Sequence, residues 1–109
     1  MVEGFISPVR RSTATGLNTG VAIAGTGTAV TVDLALRDSS GTAITDGTTQ
    51  IQLAADGHQT KFIDELFPLV DTTDFSGTIT ATAIGGNIVG TAIELGPGAF
   101  TTLPVTPLN

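Results

Sequence analysis

The chain has 109 residues, enough for one domain that buries roughly two-thirds of the surface of its unfolded chain. Only 13% of its residues are charged and its mean hydropathy is +0.34, a composition that excludes an intrinsically disordered protein. Its net charge of −6 argues against binding to nucleic acid or to anionic membranes, and its lack of cysteine excludes disulfides and thiolate metal sites. No apolar run approaches the roughly 18 residues of a membrane span, so we expect no membrane insertion.

The first 16 residues are predicted to form an arm outside the main domain. Its first nine residues suit a short strand, which we expect to end at Pro8 because proline cannot donate to a strand ladder. Arg10–Gly16 then suits a polar linker, whose paired arginines fit a solvated linker, an ion pair with an acidic neighbour or a processing site. The arm is expected to pair with its own sheet or with a neighbour's. Its apolar side chains are Val2, Phe5 and Ile6.

Residues 17–109 show the spacing of short strands and turns that is typical of a β-sandwich. The clearest strand runs from Val30 to Arg37, where large apolar residues alternate with polar or small ones. Asp38–Gly41 suits a β-turn, Asp46–Gly47 a second turn or bulge, and Gly85–Gly86 is a strong hairpin signal. The other segments predicted as strands are 18–25, 42–44, 50–54, 78–84, 87–95 and 100–105.

One segment, about residues 59–67, leaves the period of two and is predicted to be a short helix. Four large side chains fall at i, i+1, i+4 and i+5, on one side of such a helix: Phe62, Ile63, Leu66 and Phe67. Pro68 is expected to end the helix, and Thr60 or His58 to cap its start. Two turns are too short to be stable alone in water. We therefore expect a core helix that packs its apolar side on a sheet.

Candidate chemical groups are few. His58 is the only histidine, and without a nearby nucleophile or second ligand it fits a structural residue at the start of the helix better than a general base or metal ligand. Asp71–Asp74, with Asp46, offers oxygen ligands for calcium, but the spacing differs from that of a dedicated calcium loop and favours a solvated turn. We predict no catalytic residue, no cofactor and no metal site, and expect that the protein is not an enzyme.

Five stretches carry a resemblance to a known kind of module: Asn18–Ala24, Leu36–Gly41, Gly57–Pro68, Phe75–Ile79 and Ala99–Val105. On these stretches, the chain from Asn18 to about Pro107 resembles a β-sandwich module found, often in several copies, in large secreted and cell-surface bacterial proteins. The resemblance implies an extracellular Ig-like module without known catalysis, and it carries no functional residues over. The predicted fold is thus an all-β, Ig-like β-sandwich of seven to nine strands with one short helix.

The predicted function is structural. We expect a non-catalytic extracellular or cell-surface protein that is a subunit or repeat of a self-assembling filament or stalk. In it, the arm adds a strand to the sheet of the next copy, so the expected partners are copies of itself or neighbouring domains. The alternative is an adhesive module that presents loops such as Asp71–Asp74 to a glycan or calcium. The absence of Trp and Tyr weakens a site that stacks on sugars.

Overall fold

In a computed structural model, the described part of the chain forms two antiparallel sheets and one short helix. The structure describes residues 4–96, 99–103 and 106–107, with side chains up to residue 96. The elements in this part of the chain are β1 (Gly4–Ser12), β2 (Asn18–Gly25), β3 (Val30–Asp38), β4 (Ala43–Leu53), β5 (His58–Phe62), α1 (Ile63–Leu66), β6 (Asp74–Ile84), β7 (Ile88–Gly96), β8 (Ala99–Leu103) and β9 (Thr106–Pro107). The predicted all-β sandwich is confirmed, and its architecture is compatible with an Ig-like fold.

The two sheets differ in size and take their strands from distant parts of the chain. The five-strand sheet has the order β4-β3-β6-β1-β9, and the four-strand sheet has the order β5-β2-β7-β8. β1 is first in the chain, yet it lies inside its sheet, between β6 and β9. The hairpin predicted at Gly85–Gly86 joins β6 of one sheet to β7 of the other, so it links the sheets instead of pairing neighbours.

The core lies between the inner faces of the sheets and follows the alternation that the sequence predicts. In β3 the residues Val30, Val32, Leu34 and Leu36 are all buried, whereas the residues between them are not. In β6, Ile79 and Ala81 are buried while Thr78 and Thr80 lie on the outer face. Each fully buried Val, Leu or Ile side chain stabilises the fold by about 1.5–3 kcal/mol. Alternation of this kind therefore gives each sheet one apolar face.

β1 runs straight through Pro8 and ends at Ser12, four residues later than predicted. Pro8 lies opposite Thr78 of β6, while β9 pairs only with Phe5 and Ile6. Among the strands described, Pro8 thus has a partner on one side only, and a residue without an N–H is tolerated at such an edge position. The first part of the predicted linker is accordingly strand.

The helix is shorter than its predicted bounds of about 59–67, which are corrected to the four residues Ile63–Leu66. His58–Phe62 pairs with β2 instead, because strand pairing gives this backbone partners along β2 that an isolated two-turn helix would lack. The N-cap position is held by Phe62, not by Thr60 or His58, and no side chain of the N-cap residue bonds to the helix. The N–H of Phe62 donates to Oε1 of Glu65 at 3.0 Å. None of the described helices is long and apolar enough to cross a membrane.

The four side chains of the predicted core helix take two different positions. Ile63, Leu66 and Phe67 are buried in the core, and the N–H of Phe67 donates to the carbonyl oxygen of Ile63 at 3.0 Å. Phe62 is half-buried, and its ring lies against the space where a side chain at Gly20 would begin. The helix therefore closes one end of the sandwich with three apolar side chains, while Phe62 covers the outer face of β2.

Candidate functional site

The predicted arm supplies the strand on which the candidate site is built. β1 pairs with β6 of the same chain along its whole length, from Gly4 opposite Thr82 to Ser12 opposite Asp74. Phe5 is only 1% exposed, whereas Ile6 is 37% exposed on the outer face. Val2, the third apolar residue predicted for the arm, lies outside the described residues. The arm was expected to pair either with its own sheet or with a neighbour's. Within a single chain, it pairs with its own sheet.

The Phe5 ring packs directly on the backbone of the opposite sheet. A Cβ built on Gly90 of β7 would overlap the ring atoms Cε2 and Cζ of Phe5. A glycine inside a strand leaves room for such a close approach. Phe5 therefore joins β1 to both sheets, to β6 through the backbone and to β7 through its ring.

The other end of β1 is held by polar contacts around Arg10. The guanidinium donates to both carboxylate oxygens of Glu94 in β7, from Nε at 3.2 Å and from Nη2 at 2.6 Å. The buried hydroxyl of Thr19 in β2 accepts from the Arg10 N–H at 2.8 Å and donates to the Arg10 carbonyl oxygen at 2.7 Å. One hydroxyl thus satisfies both backbone groups of Arg10 on the open side of β1.

Arg11, near the end of β1, contacts the helix and the loop that follows the helix. Its Nη1 donates to the buried Thr72 hydroxyl at 3.0 Å, and its Nη2 lies 3.7 Å from a carboxylate oxygen of Asp64 in α1. Asp64 also accepts from the side-chain amide of Asn18 at 3.1 Å. Three interpretations of the two arginines were given above. In the structure, both arginines form an ion pair with an acidic neighbour.

Sequence reasoning did not identify Thr19, Thr72 or Glu94 as part of this site. Glu94 lies 84 positions from Arg10 in the chain, so no local spacing links the two residues. The role of Thr19 could have been inferred from the sequence in one way, since Thr19 shares the inward face of β2 with Val21 and Ile23. A polar side chain at an inward position needs a hydrogen-bond partner.

Replacing Thr19 by valine is expected to lower the free energy of unfolding by about 1–3 kcal/mol, because the change keeps the shape and leaves the Arg10 N–H and carbonyl without their partner. Denaturation in urea measures the loss. The matched control is Thr91→Val on the outer face of β7, which should change stability by less than about 0.5 kcal/mol. Equal effects at the two positions would contradict a role for the Thr19 hydroxyl.

His58, the only histidine, lies in β5 and is exposed. It borders a shallow depression of about 180 Å³ on the outer face of the four-strand sheet. The floor of the depression includes Ala22 and Ala24 of β2. β5 lies along one side of the depression, and Val89 and Thr91 of β7 form the opposite side. Within residues 4–96, no three His, Asp or Glu side chains are grouped closely enough to hold a metal ion.

Asp71, a candidate calcium ligand, is engaged by its own loop. Its Oδ1 accepts from the hydroxyl of Thr73 at 2.7 Å and from the Thr73 N–H at 3.1 Å, and these bonds lower the pKa of Asp71 from its ordinary value. Asp38 closes the turn between β3 and β4 in the same way. Bonds from the Ser40 hydroxyl at 2.7 Å and the Thr42 N–H at 3.0 Å lower its pKa.

We expect carboxyl NMR titrations to give midpoints for Asp38 and Asp71 that are lower than the ordinary pKa of an aspartate. A carboxylate with a lowered folded-state pKa stabilises its loop above the unfolded-state pKa, and this contribution is lost as the pH falls through the folded-state pKa. Ser40→Ala should raise the Asp38 midpoint and leave Asp71 unchanged, while Thr73→Val should do the reverse. Midpoints that do not respond to these variants would contradict the assigned hydrogen bonds.

The site as a whole holds an extended strand. It combines a backbone ladder along β6, a slot over Gly90 for one aromatic ring, and ion pairs that fasten Arg10 and Arg11. This arrangement suits recognition of a β-strand, in which main-chain bonds supply affinity and alternate side chains supply specificity. Comparison of the chain with protein-family models, with curated proteins and with solved structures yields no match.

Proposed function

We propose that the protein is a non-catalytic structural subunit that assembles with copies of itself by β-strand addition, at the surface of a bacterial cell or outside it. The supporting observation is that β1 completes the five-strand sheet between β6 and β9. β1 spans nine residues, pairs with β6 throughout and adds Phe5 and Val9 to the core. The same strand from a second copy has the same sequence and can make the same contacts.

The link between β1 and β2 is where such an exchange would open. Ser12 and Leu17 exchange two backbone hydrogen bonds of 2.9 and 3.0 Å, so the chain reverses within a few residues, and Gly16 has a φ of 73°. Short hinge loops favour exchange of the strand that they carry. If this loop straightens and each copy donates β1 to the next, the contact is head-to-tail and builds a filament instead of a closed ring.

The charges support the same arrangement. Arg10 and Arg11 lie on the donated strand, whereas their partners Glu94 and Asp64 lie on the acceptor body. Each copy therefore carries a basic strand end and the acidic groups that receive it. The extracellular location and bacterial origin in this proposal rest on the resemblance of residues 18–107 to surface modules. The adhesive alternative, with a glycan or calcium as ligand, stays a prediction.

A disulfide lock tests the proposal, since the chain has no cysteine of its own. Ile6 and Thr80 lie directly opposite each other in β1 and β6. In the variant Ile6→Cys/Thr80→Cys, oxidation of the monomer should fix β1 in its own chain and prevent filaments in negative-stain electron microscopy. Reduction should restore them. Oxidation after assembly should instead give a covalent ladder on a non-reducing gel.

The single variant Ile6→Cys is the matched control, because it can link at most two chains and cannot give a ladder. Filaments formed equally well by the locked monomer would overturn the proposal. So would a reduced chain that stays monomeric at every concentration tried.

A further inference from the structure

The open edges of the two sheets differ in how well they are protected. Natural sheets protect their edges with charge, proline, short length or a bulge. Edge strand β5 has only five residues and carries Lys61 on its inner side, opposite Val21. Edge strand β8 has five residues, and edge strand β9 has two described residues, one of which is Pro107. At the other end of the five-strand sheet, β4 has eleven residues.

Only the first half of β4 is protected. Its pairing with β3 shifts between Thr48 opposite Ala35 and Ala43 opposite Arg37. Within this bulge, Asp46 has a φ of 61°, and a Cβ on Gly47 would lie 2.8 Å from the Ile44 carbonyl oxygen. Such a bulge twists an edge away from further pairing. The predicted turn or bulge at Asp46–Gly47 is thus a bulge.

The second half of β4, Thr48–Leu53, is regular and uncharged. It pairs with β3 residue by residue and contains no charged residue, glycine or proline. Thr48, Gln50 and Gln52 are exposed, and Ile51 on the other face packs partly against the core. Short segments with high β-propensity, low charge and no proline associate readily as strands.

The backbone groups that face outward follow from one hydrogen bond. The side-chain amide of Gln59, in the edge strand of the opposite sheet, donates to the Gln52 carbonyl oxygen at 3.0 Å. A carbonyl that accepts from outside its own sheet points to the open edge. Because alternate residues of a strand point their N–H and C=O groups to the same side, Gln50 and Thr48 face the open edge as well.

We propose that two copies of the chain pair antiparallel through this edge of β4 and form one continuous sheet across a two-fold axis. The register that uses all three outward-facing residues places Gln50 opposite the partner's Gln50 and Thr48 opposite the partner's Gln52. In this register the N–H of the partner's Thr48 replaces the Gln59 side-chain amide at the Gln52 carbonyl oxygen. The edge is complementary to itself because its backbone offers alternating N–H donors and C=O acceptors. No charged side chains of the two copies would face each other in Thr48–Leu53, although the whole chain carries a net charge of −6. This interface is closed by its symmetry and is independent of strand exchange through β1.

Sedimentation velocity over a range of concentrations tests the proposal in the full chain locked by the oxidised Ile6→Cys/Thr80→Cys disulfide, so that strand exchange through β1 adds no mass. The mass should rise from 11.0 kDa toward twice that value. Thr48→Lys/Gln52→Lys places like charges opposite each other at both ends of the interface, and should weaken association at least about tenfold. Thr48→Lys/Gln52→Glu places opposite charges there and should restore it. Circular dichroism and thermal melting confirm that both variants are folded.

The two charge variants can be distinguished because the proposed register places residue 48 opposite the partner's residue 52. Equal association of the two charge variants, or a full chain that stays monomeric at the highest concentration, would overturn the β4 interface. The oxidised Ile6→Cys/Thr80→Cys chain separates the two proposals, because its β1 cannot exchange. That locked chain should still form dimers. A locked chain that is only monomeric would overturn β4 pairing and leave strand exchange in place.

Discussion

Replacing Phe5 by alanine is expected to lower the free energy of unfolding by about 3–5 kcal/mol. Phe5 is only 1% exposed, and its ring fills the slot over Gly90, so the change leaves a cavity between the two sheets. A loss of this size is a large part of the roughly 5–15 kcal/mol of a typical domain. Chemical denaturation measures it. Ile6→Ala, at the next residue but 37% exposed, is the control and should cost less than about 1 kcal/mol.

A double-mutant cycle with Gly90 tests whether the ring itself holds β1 in place. Gly90→Ala should destabilise the natural chain by about 1–3 kcal/mol, because the new methyl group overlaps the Phe5 ring. In the Phe5→Ala background the same methyl group enters space that the ring has left, so its effect should be much smaller. Additive losses would contradict direct contact between the two residues. The cycle therefore reports on attachment of β1 without removing its backbone.

Replacing Phe67 by alanine is the second change with a large expected effect, again about 3–5 kcal/mol. Phe67 is buried directly after α1, where it closes one end of the core with Ile63 and Leu66. Phe62→Ala is the matched control, with the same side chain just before the helix but half-buried over Gly20. Its loss should be less than half as large.

The comparison of the two phenylalanines also tests the course of the chain around α1. A two-turn helix over residues 59–67 would bury Phe62 and Phe67 on the same side, and the two losses would then be equal. The observed arrangement places Phe62 at the end of β5 and Phe67 in the core. Unequal losses measured by chemical denaturation would support that arrangement.

The two proposed contacts of this protein use different parts of the five-strand sheet. Strand exchange would involve β1 and β6, whereas edge pairing would involve β4, which lies on the far side of β3. The two contacts can therefore form in the same assembly without competing for a strand. An assembly with both would consist of filaments cross-linked through β4.

The β-sandwich was predictable because the patterns that indicate it are local. The alternation from Val30 to Leu36 marks a strand with one buried face whatever its neighbours are, and the turn at Asp38 is closed by the aspartate's own bonds to Ser40 and Thr42. The position of β1 was not predictable in this way. Phe5 and Pro8 suit an edge strand of either the same chain or a neighbour, and the choice depends on contacts with β6 and Gly90 far along the chain.

The sequence by itself determined most of the strands that have one apolar face and where most turns lie, because period-two alternation and turn chemistry act over a few residues. The tertiary structure decided the order of the strands, the formation of strand β5 by residues 59–62 that were predicted as helix, and the contacts of Arg10 with Thr19 and Glu94. The physical reason is that each of these depends on a partner distant in sequence. Where a backbone segment can be either helix or strand, or a charged side chain can be either solvated or paired, the contact with that distant partner decides which of the two forms.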